Sequence, residues 1–147
     1  MRERESQYRA LVEASIQGLY IHQNAIIEFV NPAMAALLGY EDPQELIGRH
    51  YGVTVAPEDR AKLEAYRTAE LNGEPAPSQY EYQGLCKDGR QVWLECVVSP
   101  VSWGLGVALM VAFIDISARK QAEEDMLRAS KIESVGVLAG GIAHGLQ

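Results

Sequence analysis

Cysteine, basic residues and aromatic residues are all scarce in this chain of 147 residues. The two cysteines, Cys86 and Cys96, are too few for a disulfide framework or a cysteine-rich zinc site, and they suit a reducing compartment. The 13 Lys and Arg residues are outnumbered by 20 Asp and Glu, which gives a net charge of −7. We expect no metal site and, because no basic stripe would neutralise phosphates, no nucleic-acid partner.

Long apolar segments are also rare. Residues 1–15 are charged and contain no apolar core of a secretion signal. Residues 97–114 carry no charge, but Pro100, Gly104 and Gly106 interrupt a stretch already marginal for the ~20 residues of a membrane span. Two buried strands joined by a turn fit this composition better, so we expect no membrane span and a cytoplasmic location.

Apolar periodicity predicts a helix and two strands at the beginning of the chain. A helical stripe of apolar residues occupies residues 4–16, and strand-like runs follow at 19–22 and 26–30. Gln23-Asn24 is the predicted tight turn between these strands.

Three helices are predicted between residues 31 and 73. Each begins with an Asn or Asp N-cap or with a proline in its first turn, and two of them end at a glycine. The marking residues are Asn31-Pro32 with Gly39, then Asp42-Pro43, and finally Pro57-Glu58-Asp59 with Asn72-Gly73.

The second half of the chain predicts three strands and a long helix. Alternating apolar residues begin at Ser78, Asp88-Gly89 supplies a hairpin turn, and strong helix formers follow Ser117. Five strands in this order can form one antiparallel sheet with the short helices on one face. We predict an α+β fold flanked by an N-terminal helix and a long C-terminal helix.

Several ordered landmarks make residues 7–117 resemble a PAS sensor domain. They are Asn31-Pro32, Gly39-Tyr40, Lys87-Asp88-Gly89 and Asp115-Ile116-Ser117, where the family usually has Thr in place of Ser117. The resemblance implies a PAS fold over residues 18–117, a flanking helix over 1–17 and a signalling helix over 118–147. It also implies that Asp115 and Ser117 couple the sensor to this helix, in addition to capping it.

Residues 130–144, SKIESVGVLAGGIAH, are similar to the phosphoacceptor helix of sensor histidine kinases. The resemblance implies that His144 accepts the γ-phosphate of ATP, with a kinase catalytic domain and a response regulator as partners. A neutral imidazole is a competent nucleophile near neutral pH. The apolar residues Ile132, Val135, Ala139 and Ile142 also have heptad spacing, which predicts a homodimer through the flanking helices.

The end of this motif departs from the family pattern, which places an acidic residue after the histidine. Gly145 stands there, and the sequence contains no GxxxxGK[ST] loop and no length for a nucleotide fold after His144. We therefore expect the chain to be inactive as a kinase by itself and to be the sensing half of a larger histidine kinase.

The resemblance allows haem, flavin, a small metabolite or no ligand in the PAS region. Haem is disfavoured because His22 and His50 are expected to be partly exposed and residues 59–72 contain no His. Flavin is disfavoured because Cys86 and Cys96 fall on predicted strands, where cysteine usually acts as a small hydrophobe. An unidentified small-molecule ligand remains the hypothesis for the site.

Strand alternation assigns the residues around Glu95 to two faces. Glutamate is rarely buried, so Glu95 is predicted to face outward with Trp93 and Val97. The candidate pocket residues are Leu94, Cys96, Val98 and Tyr66, and plain core packing is the alternative interpretation.

The function that these resemblances imply is signal input to a sensor histidine kinase in two-component phosphorelay signalling. The alternatives are a small-molecule-binding module and a dimerisation module, both without kinase output.

Overall fold

The computed structural model describes residues 17–145, with side chains up to residue 132, and places five antiparallel strands in one sheet. The strand order is β2-β1-β5-β4-β3, so the first and last strands along the chain meet at the centre. This architecture confirms the predicted α+β class and sheet, while the predicted helix over residues 4–16 lies outside the described residues. The strands are β1 Gly18–Gln23, β2 Ile26–Val30, β3 Gln79–Leu85, β4 Gln91–Trp103 and β5 Gly106–Asp115.

The helices between residues 31 and 73 are shorter and more broken than the sequence predicts. The α-helices are α1 Pro32–Leu37, α2 Arg60–Leu71 and α3 Ser117–Gly145, and single 3-10 turns occur at Pro43–Glu45, Tyr51–Thr54 and Pro57–Asp59. The second predicted helix is thus one 3-10 turn, and the turn over Tyr51–Thr54 was not predicted. Pro57 begins a 3-10 turn rather than α2, which starts at Arg60.

The turn between β1 and β2 lies one residue later than predicted. Gln23 pairs with Ile26, while Asn24 and Ala25 form the turn with φ of 53° and 69°. Asn is one of the few residues that tolerates the left-handed region, but Ala is not, so the sequence pattern placed the turn too early.

The main core lies between the sheet and the short helices. Its fully buried members include Ile27, Met34, Leu38 and Leu94, each at 0% exposure. The predicted alternation on β4 is confirmed for Cys96, which is 1% exposed, and for Val97, which is 39% exposed. The side of the sheet that carries Cys96 therefore faces the core.

A second compact unit begins at Ile116 and contains the long helix α3. The 29 residues of α3 confirm the predicted C-terminal helix. Ion pairs join Arg119 to Glu123 and Arg128 to Glu124 one turn apart. Within residues 17–145, no helix is both long enough and apolar enough to cross a membrane.

Candidate functional site

A small cavity lies between the core-facing side of the sheet and α2. Its volume is about 30 Å³, measured as the space open to the centre of a water molecule. Five of the seven tyrosines of the chain line it. They are Tyr20, Tyr51, Tyr66, Tyr80 and Tyr82.

Strand geometry explains why these residues converge. Side chains two apart on a strand share a face, so Tyr80 and Tyr82 of β3 both point to the cavity. The same spacing places Tyr20 and His22 of β1 on this face. Cys96 is the cross-strand partner of Tyr80 and joins the lining from β4.

The aromatic rings contact one another mainly edge to face. The ring centroids of Tyr20 and Phe113 are 4.8 Å apart at an interplanar angle of 87°, and those of Tyr66 and Tyr80 are 4.8 Å apart at 62°. Such pairs contribute about 0.5–1.5 kcal/mol beyond the area they bury. The cavity wall is therefore a packed aromatic surface.

His22 is buried within this wall, which corrects the prediction that it would be partly exposed. It is 6% exposed and stacks on Tyr51 with centroids 4.9 Å apart. Burial, helped by the charge of Arg67, lowers the pKa of His22 to about 4, so the imidazole is neutral at physiological pH. The alternation of Tyr20 and His22 along β1 was the sequence signal for this burial. His50 is exposed, and its Nδ1 accepts a hydrogen bond from the Gly52 amide.

Two of the cavity-lining residues, Tyr51 and Arg67, meet at Glu64 of α2. The Tyr51 hydroxyl donates to Glu64 Oε2 at 2.5 Å, and Arg67 donates two hydrogen bonds to the same carboxylate at 2.6 and 3.1 Å. The hydrogen bonds from Arg67, and then from Tyr51, lower the pKa of Glu64 to about 2. Sequence reasoning missed this cluster, although the Glu–Arg spacing of three on a predicted helix was a signal for the pair.

Tyr82 brings a fully buried hydroxyl to the cavity-lining residues. Tyr82 is 1% exposed, and its buried oxygen has no hydrogen-bond partner among the described residues. Burial raises the pKa of Tyr82 well above its ordinary value, so the hydroxyl keeps its proton and can both donate and accept. Buried polar groups are normally paired, which makes this one a candidate for ligand recognition.

The structure brings three of the four sequence-predicted pocket residues to the cavity. Tyr66, Cys96 and Val98 line it. Leu94 is buried beside it in the core, facing Gly84 so closely that a Cβ there would lie 2.6 Å from Leu94 Cδ1.

The predicted coupling and acceptor residues lie elsewhere in the chain. Asp115 ends β5, Ser117 begins α3, and only Ile116 separates them. Asp115 is exposed, and Ser117 is partly buried. His144 belongs to α3, and its side chain lies outside the described part of the structure.

Phenylalanine substitutions of two buried tyrosines, Tyr51 and Tyr82, should change the free energy of unfolding by different amounts. Tyr51→Phe removes the bond to Glu64 and should lower the free energy of unfolding by about 1–2 kcal/mol. Tyr82→Phe removes a hydroxyl without a protein partner and should leave it unchanged or raise it by up to about 1 kcal/mol. Urea unfolding of both variants checks this, and an equal loss in both would contradict it.

Comparison with known proteins identifies the fold family. The PAS domain family matches residues 16–118. Sporulation kinase A of Bacillus subtilis is 28% identical over 145 residues, which covers 98% of this chain and 24% of the kinase. The signal transduction histidine-protein kinase AtoS of Escherichia coli is 24% identical over 147 residues, covering 98% of this chain and 23% of AtoS.

A solved structure agrees with these sequence matches. A domain of a sensory box sensor histidine kinase/response regulator from Geobacter sulfurreducens superposes with a TM-score of 0.59 at 26% identity, covering 74% of this chain and 92% of that domain. The chain spans about a quarter of the length of the two kinases named above. Because the family match covers more than two thirds of the sequence, the chain belongs to the PAS domain family.

Proposed function

We propose that this chain is the sensory input module of a two-component sensor histidine kinase. A small molecule bound in the tyrosine-lined cavity changes the PAS domain, and Asp115 and Ser117 pass that change to α3. His144 on α3 accepts phosphate from a kinase catalytic domain and delivers it to a response regulator. The module acts in the cytoplasm as a homodimer through its flanking helices.

The match to kinases along nearly the whole chain carries this proposal. Both relatives align with 98% of the sequence, so the similarity includes the segment of α3 beyond the PAS match as well as the PAS domain. Supporting it, β5 and α3 are separated by a single residue, Ile116. A displacement of β5 would therefore reach the start of α3 without passing through a flexible linker.

Phosphotransfer in trans tests the proposal. Incubation with labelled ATP and the catalytic domain of a related histidine kinase should label the chain, because an acceptor needs chiefly positioning and in-line approach. The chain with ATP alone should remain unlabelled, and His144→Gln should abolish labelling in trans. Label that survives His144→Gln would place the phosphate on another residue, and no label at all would favour a module without kinase output.

The proposed homodimer predicts a specific effect on α3. Met126 and Leu127 are 73% and 63% exposed, and only Met126 shares heptad spacing with Ala122 and Ala129, an apolar stripe whose register breaks before the seam that starts at Ile132. Light scattering at tens of micromolar should show a dimer, a range in which ~7 kcal/mol of association suffices. Met126→Glu should shift the chain toward monomer, whereas the matched Leu127→Glu should not. A monomeric unmodified chain would contradict the proposal.

A further inference from the structure

The walls of the cavity favour a flat ligand. Tyr20, Tyr66, Tyr80 and Tyr82 each present part of an aromatic ring to the same space, and the aliphatic remainder comes from residues such as Leu63 and Val111. Ring faces and edges pack best against another planar ring, in edge-to-face or offset arrangements. A saturated ring of the same size would lose those contacts.

The electrostatics of the cavity favour a neutral ligand. Arg67 and Glu64 neutralise each other through two hydrogen bonds, and buried His22 is uncharged. Glu70 also contributes to the lining, so the remaining charge of the wall is negative. An anion would meet that charge, and any ion would lose hydration that this wall does not replace.

A single polar group of the ligand is expected to be recognised. Among the described residues, the Tyr82 hydroxyl is the buried side-chain oxygen that has no hydrogen-bond partner. A ligand hydroxyl could pair with it in either direction, since a tyrosine hydroxyl both donates and accepts.

We infer that the cavity binds a small neutral monocyclic aromatic molecule with one hydroxyl group, anchored by the hydroxyl of Tyr82. This inference rests on the proposed sensing function and specifies its ligand. Phenol is the simplest molecule of this chemical class.

The cavity must widen to admit such a ring, and α2 is the wall that can move. At about 30 Å³ the space holds one or two water molecules. Of the 12 residues of α2, Leu63 alone is buried, so little apolar contact holds this helix to the sheet. An outward movement of α2 would stretch the hydrogen bond from Tyr51 to Glu64 and also the bond from Lys62 to the Glu81 carbonyl on β3. Binding of the ring would then be coupled to the Tyr51–Glu64–Arg67 cluster.

Titration of the 147-residue chain followed by NMR chemical shifts tests the ligand class. The probes are phenol, toluene, cyclohexanol and benzoate, which separate the roles of the hydroxyl, the planar ring and the charge. The variants are Tyr82→Phe and the matched Tyr40→Phe, which makes the same chemical change at a buried tyrosine outside the cavity lining. Circular dichroism establishes that both variants are folded.

Phenol should bind saturably, and cyclohexanol and benzoate should bind at least about tenfold more weakly. Tyr82→Phe should weaken phenol binding by about 3- to 10-fold, the value of one hydrogen bond, and leave toluene binding unchanged. Tyr40→Phe should change neither. Preference for benzoate or cyclohexanol, no binding of phenol, or equal phenol binding in Tyr82→Phe would overturn the inference. None of these outcomes depends on phosphate transfer to His144, so failure of the ligand class is distinguishable from failure of the kinase role.

Discussion

Replacing Gly145 with Asp is expected to speed phosphate transfer to His144 by about 100-fold when a catalytic domain is supplied in trans. The reason is proton removal: the attacking imidazole nitrogen becomes more nucleophilic as the proton on the ring is withdrawn. A carboxylate in the next residue along the chain can accept that proton, and glycine offers no group for it. General-base assistance by a positioned side chain typically contributes 100-fold or more.

The measurement is the initial rate of label uptake at fixed concentrations of ATP and catalytic domain. Gly145→Asn is the matched control, because it has nearly the shape and helix propensity of Asp but does not act as a base at neutral pH. The Asp variant should be fast and the Asn variant should stay near the rate of the unmodified chain. If both substitutions accelerate transfer equally, the gain comes from removing a helical glycine rather than from base catalysis.

The sheet and the turn between β3 and β4 could be predicted because local sequence signals and tertiary structure agree there. Alternation on β4 and the Asp-Gly turn before it specify a hairpin, and Gln91 pairs with Leu85 as expected for that turn. Asn31-Pro32 specifies a helix start for similarly local reasons. Local signals also predict the first half of α3, where residues 118–131 are mostly strong helix formers.

The polar side of the cavity could not be predicted in the same way. Tyr51 lies on a 3-10 turn, and short turns of this kind have no hydrophobic period by which to recognise them. The partners of its hydroxyl and ring come from other elements, Glu64 on α2 and His22 on β1. Their meeting depends on how these elements pack, which a pattern along one segment does not contain. His22 was expected to be partly exposed because it lies beside a turn, although its alternation with Tyr20 was a signal for burial.

The positions of Cys96 and Leu94 show how far the alternation of a strand can predict the lining of a cavity. Both point to the same side of β4, as the alternation predicts. Cys96 lies opposite Tyr80 and reaches the cavity, while Leu94 lies opposite Tyr82 and fills the space above Gly84. The period of a strand predicts its face but not which residues on that face border a cavity.

The largest loss of stability is expected from Asn31→Ala, at about 3–5 kcal/mol, because this side chain joins β1 to the start of α1. Asn31 is 0% exposed, and its Oδ1 accepts hydrogen bonds from the Met34 amide and the Leu19 amide, both at 2.9 Å. Its Nδ2 donates to the Gln17 carbonyl at 2.8 Å. Alanine would remove all three bonds and leave these backbone groups without their side-chain partner.

The loss of stability in Asn31→Ala should exceed the loss from removing an ordinary helix-capping side chain, which is about 1 kcal/mol. A typical cap is exposed, so water replaces the lost side chain, but Asn31 and Met34, whose amide it caps, are both 0% exposed. Backbone groups left unpaired there lose a hydrogen bond without regaining one from solvent. Asn72→Ala at the exposed C-terminal end of α2 is the matched control and should change stability by less than about 0.5 kcal/mol. Urea unfolding measures both, and a loss below about 1 kcal/mol in Asn31→Ala would mean that the region rearranges to satisfy these groups without Asn31.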